Sequence, residues 1–102
     1  MFYPATLRTV KSRIKEFYPQ LKAKEYSGLS PDPLPYMVAA HILWMCDKIE
    51  AMPETISDAT KAGRWIGWVL RAVERDLGFW DNNTSRVLIR EDVKNGHDIP
   101  HF

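Results

Sequence analysis

Apolar residues recur at helical spacing along most of the chain. In "PATLRTVKSRIKEFYPQLKAK", Leu7, Val10, Ile14, Phe17 and Leu21 follow one another three and four residues apart, which is the single stripe of an amphipathic helix. A first helix is expected near 5–18, because Pro19 lacks an N–H and its ring clashes with the preceding turn. A glycine and three prolines make "YSGLSPDPLP" a loop. A second helix follows near 34–51, with Asp32 or Ser30 available as N-cap. Its Met37, Val38, Ile42, Leu43, Trp44, Met45, Cys46 and Ile49 lie on nearly every side, so neighbours should pack around it and make it the central helix. Beyond Met52-Pro53 a third helix is expected near 55–77, starting at Glu54 or Asp58 and stopped by Gly78. A fourth, near 83–94, has Asn82-Asn83-Thr84 to cap it and Gly96 to close it, leaving 96–102 as an irregular tail. No run alternates with the strand period, so the expectation is an all-α, compact bundle of about four helices. At 102 residues it forms one domain, 1–102.

The third helix carries two patterns. Ala62, Trp65, Ile66, Val69, Val73 and Leu77 share one face at 100° per residue and belong in the core. Lys61, Arg64, Trp68, Arg71 and Arg75 form a second row at spacings of three and four. Trp68 is the odd member of this cationic row. Either its ring sits at the core edge under the arginine stems, or the row is a recognition surface, since Trp and Arg are enriched where partners bind. An aromatic between guanidinium groups also suits a nucleotide, the ring stacking on a base and the arginines meeting phosphate. "GRWIG" places Gly63 and Gly67 beside the row at a cost in helix stability, which predicts close approach there by another helix of the chain or by a second subunit. Arg8, Lys11, Lys15, Tyr18 and Lys22 make a similar row on the first helix. Such rows are usually solvated faces; brought near Arg71 and Arg75, it would complete a cationic groove.

Charge narrows the choice. The formal net charge is +1, short of a dedicated nucleic-acid binder, but residues 1–26 hold six Lys/Arg against two Glu. An anion site would therefore be a local patch. The single cysteine, Cys46, forms no internal disulfide, and the N-terminus lacks a signal-peptide pattern. The longest apolar stretch, Tyr36 to Cys46, is too short to span a bilayer. A cytoplasmic protein with no membrane partner is expected.

Catalytic and metal signatures fail to assemble. His41 and Cys46 are five apart and do not stack on one helix face, so His41 reads as a hydrogen-bonded core histidine and Cys46 as an inert buried thiol. His97 and His101 have ligand-like spacing, but Pro100 interrupts them and nothing completes four ligands. Glu50, Glu54 and Asp58 suit a helix N-terminus, and Glu91 and Asp92 point in different directions. No catalytic residue, metal or cofactor is assigned.

The block "KAGRWIGWVLRAVERDLGFWDNNTSRVLIREDVKNG" and the preceding "AAHILWMCDKIE" resemble segments of small, poorly characterised helical accessory proteins of bacteriophages and prophages. The resemblance covers the last two thirds of the chain and rests on no functional motif. It implies a protein acting in the bacterial host cell by binding, against a host protein or a signalling molecule. The combined expectation is a non-enzymatic binding protein that self-associates into a homo-oligomer and engages a host protein or an anionic nucleotide ligand through the Trp68 row. A nucleic-acid-binding regulator is the alternative, and a small hydrolase without a recognisable motif the third.

Overall fold

The computed structural model describes residues 1–26 and 32–98 and is all-α. Its helices are α1 (Pro4–Phe17), α2 (Pro35–Glu50), α3 (Ile56–Ala72) and α4 (Asn82–Lys94), and a five-residue π-helical turn, Val73–Leu77, extends α3. No strand occurs among the described residues. α2 packs against α1, α3 and the π-turn, while α1 also packs on α4.

The helix boundaries have local causes. α1 and α2 both open on proline, whose missing N–H costs nothing in the first turn. At α2 this displaces the expected cap: Leu34 holds the N-cap position without a side-chain bond, Asp32 makes none there, and Ser30 lies outside the described residues. α3 opens on a side-chain N-cap, Thr55. The Thr55 hydroxyl oxygen accepts from the Asp58 N–H at 3.1 Å, and its O–H donates to the Asp58 carboxylate at 2.6 Å. At α4 the cap is Asp81, one residue ahead of the expected asparagines, accepting from the Thr84 N–H at 3.1 Å. A carboxylate there also meets the positive end of the helix dipole.

The third helix does not stay α to Leu77. Gly78 adopts φ 63°, a left-handed conformation that glycine enters without steric cost, and its N–H together with that of Phe79 turns back to the Val73 carbonyl. Gathering both donors on one carbonyl widens the last turn into the π form. Gly96, at φ 74°, ends α4 in the same left-handed region.

The core joins Phe2, Leu7, Val10 and Ile14 to Val38, Ile42, Cys46 and Ile49 of α2 and to Ala62, Ile66, Val69 and Val73. Trp65 and Leu77 are half-buried at its edge. Phe17 departs from the stripe expected of it: it is 59% exposed and stacks on Phe79 with centroids 4.8 Å apart.

The α1–α4 contact is polar. Asp92 is fully buried and accepts from the Ala5 N–H at 3.0 Å, the Thr6 N–H at 2.9 Å and the Thr6 hydroxyl at 2.6 Å. It therefore caps the first turn of α1 from the far end of the chain. The Asp92 carbonyl accepts from His97 N–H, and the His97 carbonyl accepts from Tyr3 N–H, tying the segment before α1 to the turn after α4. Burial raises the Tyr3 phenol above its ordinary pKa, with Asp98 and Asp92 adding to the shift.

Candidate functional site

The α2–α3 seam is a ladder of rings. Trp65 of α3 faces Trp44 of α2 at 5.8 Å, Trp44 stacks on His41 one turn earlier at 5.4 Å, and His41 meets Trp68 edge-on at 5.5 Å and 74°. Lys61 lies over Trp65 at 5.0 Å and Lys48 over Trp44 at 5.6 Å, so one end of the ladder is covered by cations. Trp68, at the other end, is 39% exposed. Among the described residues no arginine lies over its ring. Its one ring–ring contact among the described residues is the edge of His41, and about two fifths of its surface is open to solvent.

His41 is half-buried rather than core, because it fills the rim of the seam between two tryptophans. Its Nδ1 accepts from the Tyr26 N–H at 3.0 Å, which requires a neutral ring with the proton on Nε2. Burial lowers its pKa, against an opposing pull from Glu25. Cys46 is fully buried, and burial pushes its thiol up to about 12, so it carries no thiolate chemistry near neutrality.

Lys61, Arg64, Trp68 and Arg71 of α3 and Arg75 of the π-turn are all exposed. Among the described residues no carboxylate pairs with Arg64, Arg71 or Arg75. The α1 row differs. Lys11 reaches Asp47 at 3.0 Å and Glu50 at 2.9 Å; burial lowers its pKa, but those two hydrogen bonds outweigh it and hold the ammonium above its ordinary value. Arg8, Lys15 and Lys22 are exposed, whereas Tyr18 is half-buried against the core. Arg8, Lys11, Lys15 and Glu50 line a shallow cleft of about 340 Å³.

The two rows are not joined within the chain. α1 meets α2 at Asp47 and Glu50, α3 meets it at His41 and Trp44, and at 100° per residue these faces lie about a third of a turn apart. The glycines also differ from expectation. A methyl group at Gly63 would meet only the Tyr3 hydroxyl at 3.6 Å, and at Gly67 nothing within 4 Å. Among the described residues, therefore, no helix packs on Gly67, since its Cα lies on the solvent side with Arg64 and Arg71.

Among the described residues no group of three or more His, Cys, Asp or Glu could hold a metal ion; His101 and Pro100 lie outside them. No described helix is long and apolar enough to cross a membrane. Sequence reasoning missed the buried role of Asp92. The available signal was its position: Ser85, Ile89 and Asp92 share one face of α4, while Val87 and Val93 face solvent at 61% and 46% exposure. Comparison with known proteins returns no similar family model, curated protein or solved structure.

Proposed function

We propose that the protein is a non-enzymatic binding module that engages an anionic partner, of the nucleotide class or an acidic host protein, on the outer face of α3. One contrast carries the reading: Lys11 on α1 is neutralised by two carboxylates, whereas Arg64, Arg71 and Arg75 flank an exposed tryptophan with none among the described residues. Unpaired guanidinium groups provide planar, bidentate donors for phosphate or carboxylate, and the Trp68 ring supplies a stacking surface between them. The resemblance to phage accessory proteins is consistent with a role in a bacterial host cell. Self-association of the chain belongs to the same reading, and sedimentation at micromolar concentration giving 11.9 kDa would remove it.

A nucleic-acid strand is the second reading, favoured by the length of the row. Lys61 to Arg75 covers about 21 Å along the axis at 1.5 Å per residue, more than one nucleotide fills. Titration with mononucleotides and with labelled oligonucleotides at several salt concentrations separates the readings, because strand binding weakens steeply with salt. Arg71→Ala/Arg75→Ala should abolish binding of either while leaving the melting temperature nearly unchanged. Undiminished binding by this variant overturns the assignment of the surface.

A further inference from the structure

A second site lies where the π-turn meets α4. Leu70, Glu74, Ser85, Arg86, Ile89 and Arg90 surround a cleft of about 300 Å³, at the small end of the range for small-molecule sites. One wall is polar and already ordered. Glu74, in the π-turn, accepts from the Ser85 hydroxyl at 2.6 Å and from the Asn82 amide at 3.3 Å, and the Ser85 oxygen accepts from the Trp80 indole N–H at 2.9 Å. Ser85 is buried and Glu74 half-buried, so the carboxylate is fixed before any ligand arrives, and each of its oxygens keeps a further lone-pair site.

The opposite wall is cationic. Arg86 and Arg90 are four residues apart and so share one face of α4; both are exposed, and no carboxylate among the described residues pairs with either. Like charges at this spacing cost helix stability, and nothing within the described chain offsets that cost. Between the walls, Leu70 and Ile89 supply an apolar floor. The π-helical geometry bears on the same point, because such turns occur frequently at functional sites.

We propose that this cleft binds a small organic acid that carries an apolar body and an N–H or O–H donor. The anion bridges Arg86 and Arg90, the body covers Leu70 and Ile89, and the donor reaches Glu74. The role is binding, not hydrolysis: the Ser85 hydroxyl is buried, donates to Glu74 and receives the Trp80 N–H, so its oxygen is committed on both sides. The site stands apart from the α3 row, and either can fail without the other.

The test is an NMR titration of the full chain with three probes. Indole-3-acetate has the anion, the ring and the donor; phenylacetate lacks the donor; tryptamine lacks the anion. Indole-3-acetate should give saturable shifts in the millimolar range centred on residues 70–74 and 82–90, phenylacetate should bind several-fold more weakly, and tryptamine should not bind there. Arg86→Ala/Arg90→Ala should weaken indole-3-acetate by about tenfold or more at an unchanged melting temperature, and Glu74→Leu, which removes the acceptor oxygens, should erase its advantage over phenylacetate. The proposal is overturned if neither acid gives saturable shifts there, if the arginine variant binds as well as the parent, or if the shifts centre on Lys61–Trp68 and leave 82–90 unmoved.

Discussion

The α1–α4 junction and the α2–α3 seam are both contacts between two helices, and they are built on opposite principles. At the junction a buried carboxylate receives three hydrogen bonds from the first turn of α1, a directional arrangement that one register alone satisfies. At the seam four rings lean on one another, an arrangement that tolerates partial exposure because each ring still covers apolar area. The difference bears on function. A polar lock works only when closed, so it leaves nothing to present, whereas an aromatic ladder can end in a half-open ring. Trp68 is that ring, and the unpaired arginines stand beside it.

The largest effect should come from opening the lock. Asp92→Ala leaves two backbone N–H groups and the Thr6 hydroxyl without their acceptor, at a cost of about 3 kcal/mol or more, and thermal unfolding should move down by at least about 12 °C for a domain this size. Asp92→Asn, which keeps one acceptor oxygen, should fall in between. A melting curve like that of the parent would mean that the junction is held by something else.

The ladder should respond unevenly along its length. Trp65→Ala should cost about 2 kcal/mol, below the 3–5 kcal/mol typical of full burial, because Trp65 is only half-buried. Trp68→Ala should cost about 1 kcal/mol, the scale of one aromatic pair, while abolishing ligand capture. Equal losses in denaturant titrations would erase the distinction between the closed and the presented end.

Gly67→Ala should act in the other direction. With nothing within 4 Å of the added methyl, the helix should gain between about 0.5 and 1 kcal/mol. If the outer face of α3 binds its partner closely, that gain comes with weaker binding in calorimetry; a more stable variant with full affinity would show that the flat flank beside Arg64 and Arg71 is not used.

The smallest effect concerns pH. Burial depresses the folded-state pKa of His41, so below about 6.5 the unfolded chain takes up the proton first. This contribution to stability is complete above that pH, declines as pH falls toward the folded pKa, and then levels off. Protonation also removes the Nδ1 acceptor from the Tyr26 N–H. His41→Gln should flatten this part of the stability profile, and an unchanged profile would place the imidazole outside the folding equilibrium.

Much of this architecture is legible before folding. The helical period of Leu7, Val10 and Ile14, and of Ala62, Ile66, Val69 and Val73, marks the faces that are buried, because side chains three and four apart must share a side of any α-helix. Prolines and glycines mark the ends, since one lacks a donor and the other accepts a positive φ. The Trp68 row is legible for the same reason: it is a property of one helix.

What depends on a second helix is not legible. Whether Lys11 or Arg71 is neutralised depends on which carboxylates lie opposite, and only the packing of α1 on α2 puts Asp47 and Glu50 within reach of Lys11. Asp92 and Glu91 are neighbours of the same type, yet one is buried under the start of α1 and the other faces solvent. The widened turn that carries Glu74 toward Ser85 follows from where Gly78 and Phe79 send their N–H groups. Local periodicity chooses the face of a helix because it acts within a few residues. Charge pairing, remote capping and clefts arise between segments distant in sequence, and these the chain acquires only when its helices meet.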